Sequence, residues 1–446
     1  MSASFLDDQP KLAFYGDDFT GATDTLATAT QAGLRSLLFL RVPNAAQWQA
    51  AGPLDCVGIA GAARSMDGAQ MRAELMPVAR FFATLRVPVT HYKICSTFDS
   101  APRIGNIGTA MRLWRESIDN PFVPMVGGQP NLRRFCLFSH LFAAEKAGGD
   151  VVRIDRHPTM RCHPVTPMNE SDLRAHLAHQ DLTVQAVHYP QYLAPDALDG
   201  QLDAVIAAGP DAVLFDVSGE ADLPVIGGLI WRRAQQRRLL AVGASSVVQA
   251  LAAWWQAAGL LDAPRPAQAS HIAPARGPVL VLAGSLSPIT ALQVGAAQSY
   301  DKILLDAPRL LDRDQSYLEA TVARIADGLR QGRNMLACTA AHQGERQLLS
   351  SDGASQQLAH ACGELLRRLL QAVSLTRVGV AGGDTSSHAL KALDIWGLSY
   401  LGNLAPGVAL CRAHADTAQL DGVELMLKGG QMGTPDLFEL LVEGRV

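Results

Sequence analysis

The stretch that decides the fold is 12-LAFYGDDFTGATD-24, Leu12 to Asp24. Leu12 to Tyr15 is an apolar run of buried-strand length, Gly16 ends it, and "FTGATDTLATATQAGL" reads as a helix rich in Ala and Thr that stops at Gly33. Strand, turn and helix in that order build a parallel sheet with helices on both faces. The order recurs in "RSLLFLRV", "DCVGIAG", the amphipathic "DGAQMRAELMPVARFFATL" and "VPVTHYKICST", and continues through "FVPMVGG", "DAVLFDV" and "RLLAVGASS". Ligands of such sheets bind beyond the carboxyl ends of the strands. Asp17 and Asp18 stand there, with Gly16 and Gly21 beside them. Carboxylates in that place accept hydrogen bonds from sugar hydroxyls, bind a metal or take a proton. The plainer reading is that one of the pair caps the helix that follows.

A chain of 446 residues is long enough for two domains. The composition changes at "DAPRPAQASHIAPARGP", 262–278, which is rich in Pro and Ala and shows no periodicity. The expected organisation is a first domain over 1–262, a linker over 263–278 and a second domain over 279–446. Both domains are expected to be α/β with largely parallel sheets, and the active site to lie in a cleft between them. Thirty-eight basic residues face 42 acidic ones with no sustained basic stretch, so nucleic acid and anionic membranes are poor partners. An anionic ligand must then be bound by local groups. The seven cysteines are odd in number, scattered and free of any CxxC pair, which fits reduced thiols in the cytoplasm. The N-terminus lacks the pattern of a signal peptide, and no uncharged apolar run has membrane-spanning length. No heptad or partner-helix pattern speaks to assembly, and a homodimer is left open.

Three further segments of the first half carry candidate chemistry. Arg64 follows the strand at Val57 to Ile59; its planar fork suits a carboxylate or phosphate, although alone it reads as a solvated loop residue. In "HYKICSTFDSAPRIGNIG", 91–108, Lys93 is the charge in a strand-like run and Ser96 and Thr97 follow it, a set suited to a polyhydroxylated anion. Gly105 to Gly108 is expected to open a helix whose free N–H groups attract anions. Cys95 reads as a small buried residue, not a nucleophile, because no His is suitably spaced. His157 and His163 lie in a Pro- and Arg-rich loop; their spacing is weak for a metal, and a structured loop leading to a helix start at Asn169 to Ser171 is the better reading. No residue is assigned to a protein-held metal.

In the second half, three glycine turns follow three strand-like runs. They are "VLVLAGSLSPIT" with Gly284, Ser285 and Ser287, "RVGVAGGDTSSHAL" with Gly382, Gly383, Asp384 and Thr385, and "LMLKGGQMGTPDLF" with Lys428, Gly429, Gly430 and Gly433. None is a P-loop or a GxGxxG fingerprint. Glycine lets the backbone approach a phosphate, whose oxygens exposed N–H groups then cradle. One such turn is ordinary; three in one domain point to a nucleotide. Asp384 could hold Mg2+ through water or fix a ribose, or simply cap the next helix.

These motifs, in order and over nearly the whole chain, resemble the four-carbon acid sugar kinase family. "YGDDFTGATDT" is similar to the family's Asp-Asp-x-Thr-Gly-Ala-x-Asp opening. "KICSTFDSAPRIGNIG" resembles its Lys-Ile-Asp-Ser-Thr-Leu-Arg-Gly-Asn-Ile-Gly segment, and "AGSLSPITALQ", "AGGDTSSHAL", "APGVAL" and "LKGGQMGTPDLF" its nucleotide motifs. The resemblance implies an N-terminal domain that binds a sugar acid and a C-terminal domain that binds ATP with Mg2+. It implies transfer of the γ-phosphoryl group to a hydroxyl of a tetronate, a 3-oxo-tetronate or a related branched oxo acid. It places Asp17, Asp18, Arg64, Lys93, Ser96 and Thr97 at the substrate. Ser285, the turn from Gly382 to Thr385, Gly407, Gly430 and Gly433 would lie at the nucleotide. The expected mechanism gives the substrate carboxylate to Arg64 and Lys93, and the acceptor hydroxyl and its proton to Asp18 assisted by Asp17; Asp24 is expected to cap or support. The departures fall in the substrate segment. Cys95 stands where the family has Asp, Phe98 to Ser100 replace "LRG", and the Arg of that motif is lost or replaced in space by Arg103. A sensor that binds the acid or nucleotide without chemistry is the alternative, and a dinucleotide oxidoreductase is disfavoured by the missing GxGxxG.

Overall fold

The computed structural model describes residues 5, 9–118, 120, 122–145, 148–163, 165–262, 271–284, 287–339 and 354–445, with the backbone alone at 354–356 and 384. It divides into two compact units, Met1–Arg265 and Pro266–Val446. Residues 263–270 of the expected linker lie outside the described residues. Ile272 exchanges backbone hydrogen bonds with Arg445, and Ala275 N donates to Val442 O, so this later part of the segment packs with the second unit.

The first unit is an α/β layer structure around a parallel sheet. Its strands are β1 (Leu12–Gly16), β2 (Ser36–Phe39), β3 (Cys56–Ala60), β4 (Val89–Lys93), β5 (Pro124–Val126), β9 (Val184–Val187), β10 (Ala212–Phe215) and β11 (Leu239–Gly243), in the order β2-β3-β1-β4-β11-β5-β10-β9. Every pairing in it is parallel. β1, β3, β4 and β11 are buried along their whole length, which is why β1, β3 and β11 read as unbroken apolar runs and not as alternating ones, while β4 buries Thr90, His91 and Lys93 as well. In register, Gly16 pairs with both Ala60 and Lys93, so the carboxyl ends of β3, β1 and β4 are level. Between β5 and β9 the chain makes an excursion that the sequence pattern did not announce: a small antiparallel sheet of β6 (Arg134–Leu137), β7 (His140–Ala144) and β8 (Val151–Arg153). Its strands are only partly buried and so lack the apolar runs of the central sheet.

The second unit places β12 (Val279–Ala283), β13 (Tyr300–Leu304), β14 (Asn334–Cys338), β15 (Arg377–Ala381) and β18 (Glu424–Lys428) in the parallel order β13-β14-β12-β15-β18. The long hairpin of β16 (Ile395–Ala405) and β17 (Val408–Ala415) extends it antiparallel beside β18. Val279, Val281, Leu336, Ala381, Met426, Phe438 and Leu441 form its core with other apolar side chains. Among the described residues no helix is long and apolar enough to cross a membrane.

Candidate active site

Asp17 and Asp18 leave β1 at its carboxyl end, and the backbone fixes both. Asp17 N donates to Lys93 O (3.0 Å) and Arg64 N to Asp17 O (3.1 Å), which ties the exits of β1, β3 and β4 together. Asp18 takes extended backbone angles as N-cap of the helix Phe19–Gln31, and its Oδ1 accepts from Gly21 N at 3.1 Å. The capping reading therefore holds for Asp18, but the carboxylate does more. Arg64 forks onto Asp17, Nε to Oδ2 at 3.1 Å and Nη2 to Oδ1 at 2.7 Å, and Nη2 also reaches Asp18 Oδ1 at 2.9 Å. Lys93 Nζ lies 3.4 Å from the same oxygen, and Thr20 Oγ1 donates to Asp18 Oδ2 at 2.6 Å. Two carboxylates and two cations thus make a closed, nearly buried ladder. Gly21 is required by it: a Cβ there would lie 1.6 Å from Lys93 Nζ.

The two cations expected to grip a substrate carboxylate, Arg64 and Lys93, are paired here with Asp17 and Asp18, so their charge is already balanced within the site. The ladder also separates the two acids. Burial pushes Asp17 upward, and the opposing pull of Arg64 does not bring it back to its ordinary value. Burial acts on Asp18 as well, but Arg64, Lys93 and the Thr20 hydroxyl outweigh it and hold that carboxyl well below the usual range. Asp18 is a standing anion, and at 14% side-chain exposure against 5% for Asp17 it is the one open to a ligand.

Around the ladder stand the residues after β4. Thr97 Oγ1 donates to Asp99 Oδ1 at 2.5 Å and lies 2.9 Å from Cys95 Sγ. Asp99 Oδ2 is 3.9 Å from Arg64 Nη1; burial pushes Asp99 upward, but Arg64, His163 and the hydrogen bonds of Thr97 and Cys95 together hold it below its ordinary value. Burial pushes the Cys95 thiol up, so it is no thiolate nucleophile. The buried Ser96 accepts a hydrogen bond from Nη1 of Arg134, on β6. Asp99 and Arg134 were missed by sequence reasoning. Arg103, its candidate replacement for the missing arginine, is exposed. The helix Ile107–Arg115 does start at the glycine turn, but Asn106 Oδ1 accepts Thr109 N (2.6 Å) and Gln180 Oε1 accepts Ile107 N (2.7 Å), so these donors are not offered to an anion. His157 and His163 accept from backbone N–H groups of their own loop, and the following helix, Leu173–Ala178, is capped by Asp172 and not by 169–171. Asp24 accepts from Gln129 Nε2 (3.0 Å) and Ser245 Oγ (2.5 Å), joining its helix to the loops after β5 and β11.

In the second unit the three glycine turns sit side by side, because β12, β15 and β18 are adjacent. Gly284 N donates to Ala381 O (3.0 Å) and Gly382 N to Lys428 O (2.9 Å), so each turn hangs from the next. Gly382, at φ 127°, opens the helix Gly383–Ala392 with no side-chain cap, and a Cβ on Gly383 would meet nothing within 4 Å. Uncapped N–H groups at a helix start attract anions. Gly284 is bare because a Cβ would lie 2.3 Å from Thr385 Oγ1. Lys428 is fully buried beneath the third turn, where Nζ donates to Thr290 Oγ1 and Gln293 Oε1 (both 2.8 Å) and to Gly430 O (3.3 Å). Gln293 in turn donates to Met432 O and Thr434 O, pinning that turn to the helix Pro288–Ala296. Gly433 takes φ 87° in the same turn. Gly407, at φ 70°, is the tip of the β16–β17 hairpin and has a conformational reason of its own. Ser285 and the side chain of Asp384 lie outside the described residues.

Comparison with known proteins agrees with this division. Residues 12–251 match the family described as a sugar-binding N-terminal domain, and residues 280–438 the one described as a nucleotide-binding C-terminal domain. The chain belongs to the four-carbon acid sugar kinase family. A 3-oxo-isoapionate kinase of Paraburkholderia graminis is 39% identical over 98% of this chain and 94% of its own. A 3-oxo-tetronate kinase of Methylobacterium radiotolerans is 30% identical over 96% of this chain and 97% of its own. Crystal structures from Salmonella typhimurium LT2 (24% identity, TM-score 0.76, covering 96% of this chain and 98% of that one) and of Haemophilus influenzae HI1011 (22%, 0.68, with the same coverage) share the fold.

Proposed function

We propose that this member of the four-carbon acid sugar kinase family phosphorylates a hydroxyl of a small 3-oxo sugar acid with ATP. Of the substrates named for the relatives above, the reading favours the 3-oxo-isoapionate class, for which the more similar of the two is named. The observation that carries it is the charge-paired ladder at the level strand ends of the first unit, together with three adjacent glycine turns in the second. Phosphoryl transfer asks a protein for positioning and charge neutralisation more than for covalent chemistry. Asp18 accepts the hydrogen bond of the acceptor hydroxyl and aims its oxygen. The new O–P bond forms as the bond from the γ-phosphorus to the β–γ bridging oxygen breaks. ADP leaves, and the hydroxyl proton passes through Asp18 to water. The ladder keeps Asp18 ionised in the ground state, so it orients throughout and receives the proton late. Asp17 holds Arg64, which neutralises the acidic pair. The Gly382–Thr385 turn and Gly430 supply backbone donors to the phosphates.

Mg2+ fits as the nucleotide's counter-ion. The described residues hold no group of three His, Cys, Asp or Glu side chains, and Mg2+ commonly keeps several waters while bridging phosphates. Bound there it would neutralise charge on the transferring group. We place the enzyme in the cytoplasm. The test is a coupled ADP-release screen over tetronates, 3-oxo-tetronates and branched 3-oxo pentonates. Turnover is expected above all with the branched 3-oxo acids; binding of ATP without consumption across the whole panel would replace the kinase by a sensor.

A further inference from the structure

An acid substrate must bring its own negative charge to a place that already holds three carboxylates. Asp17, Asp18 and Asp99 face Arg64 and Lys93, which leaves this group one negative charge in excess among its fixed charges. A second anion would be repelled unless another cation is close by. The charges of Arg64 and Lys93 are already balanced within the group by Asp17 and Asp18. Arg134 is different. Its Nη1 donates to Ser96 Oγ, a neutral partner, and among the described residues no carboxylate pairs with it. Its charge is felt at Cys95, two residues beyond Lys93, together with those of Arg64 and Lys93, so the guanidinium belongs to the same cluster.

The backbone holds that guanidinium in place. Arg134 exchanges hydrogen bonds with Gln129 (2.8 and 3.2 Å) and pairs with Ala143 across the β6–β7 hairpin. Gln129 itself reaches Asp24 on the helix that Asp18 caps. Ser96 takes one donor of the fork and fixes the plane of the rest, which suits the two-oxygen geometry of a carboxylate. We propose that Arg134 binds the substrate carboxylate, and that it thereby selects acids over neutral polyols while Asp18 holds the acceptor hydroxyl. This rests on the sugar-acid reading above, but it assigns the acid-recognising group to the excursion between β5 and β9 and not to the ladder.

The experiment uses the full-length chain with Arg134→Met and Arg134→Lys. Calorimetry measures affinity for erythronate, threonate and a branched 3-oxo pentonate, with erythritol as the neutral probe, in the absence of nucleotide. ADP release gives KM and kcat on the same acids. A charge-assisted hydrogen-bond pair lost from a half-buried site should weaken acid binding by about 10- to 100-fold. Erythritol affinity, ADP affinity and kcat should stay within about threefold, and Arg134→Lys should recover part of the acid affinity. Unchanged acid affinity overturns the proposal. So does equal weakening of acid and polyol, which would mean that Arg134 merely props Ser96, and so does a wild type that binds none of the acids. Arg134-dependent acid binding without ADP release from the wild type would sink the kinase reading and leave this one standing.

Discussion

Gly21→Ala should lower stability, against the usual effect of that exchange inside a helix. Alanine replacing glycine in a helix normally gains about 1 kcal/mol. Here the added Cβ would stand 1.6 Å from Lys93 Nζ and 2.4 Å from Asp18 Oδ1. Ordinary contact requires Lys93 to retreat by about 2 Å, which stretches its 3.4 Å ion pair with Asp18 to roughly 5.4 Å. With an effective dielectric constant of about 20, the pair weakens from about 4.9 to about 3.1 kcal/mol. The bond from Gly21 N to the Asp18 cap is strained as well, and a lost cap costs about 1 kcal/mol. Against the propensity gain of about 1, the net loss is about 2 kcal/mol, or about 4 to 8 °C in the melting temperature of a unit this large. Gly200 provides the control. It lies inside the helix Pro195–Ala207, and a Cβ there meets nothing within 4 Å, so Gly200→Ala should raise the melting temperature by a few degrees. Calorimetric or far-UV melting of the two variants beside the wild type makes the comparison. A Gly21→Ala protein as stable as Gly200→Ala would refute the close packing of Lys93 against the first turn.

Asp18→Asn should cut kcat by about 10²- to 10⁴-fold while ADP affinity, measured by calorimetry, stays unchanged; near-normal turnover would remove Asp18 from the chemistry. Gly284→Ala forces the first turn away from Thr385 and should weaken ADP binding about tenfold, whereas Gly383→Ala, with open space before it, should fold as the wild type does; equal ADP affinity in wild type and Gly284→Ala would contradict the stacked turns. Lys428, pushed by burial from its ordinary 10.5 to about 7, binds fewer protons folded than unfolded between pH 7 and 10.5. Stability should therefore rise with pH through that window by up to about 1.4 kcal/mol per unit, and Lys428→Met should lose that rise; urea titrations at pH 7, 8 and 9 with identical slopes in both proteins would count against it.

What the sequence made legible is what local pattern controls. The strand ending at Gly16, the helix that Asp18 opens and the three glycine turns depend on apolar runs and turn residues that neighbours in the chain dictate. The α/β class follows from their order. The partners of the charged residues were not legible. Arg64 looked available for a ligand because the 47 residues separating it from Asp17 hide their pairing. Gly105 to Gly108 looked like an anion site because Gln180, which takes the Ile107 N–H, lies 73 residues away. β6 to β8 went unannounced because half-exposed strands have no apolar run, and Arg134 was lost with them. Thr290 and Gln293 left no signal either, since their use depends on Lys428 arriving from β18.

The closed ladder of Asp17, Arg64, Asp18 and Lys93 also constrains how this protein can change. Removing Arg64 leaves Asp17 without its cation, and removing Asp18 leaves Lys93 without its anion; a buried charge left in that way commonly costs about 3 to 5 kcal/mol, a large fraction of the stability of a typical fold. Charge-removing single substitutions there cost stability as well as chemistry, and a charge-balanced replacement has to alter two residues that are 46 or more positions apart or neighbours sharing one arginine. Among the described residues Cys95 and Arg134 are in no ion pair with a member of the ladder, so replacing either leaves the ladder's own pairs in place. New acceptor preferences are therefore open to one-step change at the hairpin and at the end of β4, while the apparatus that aims the hydroxyl is inherited as a block.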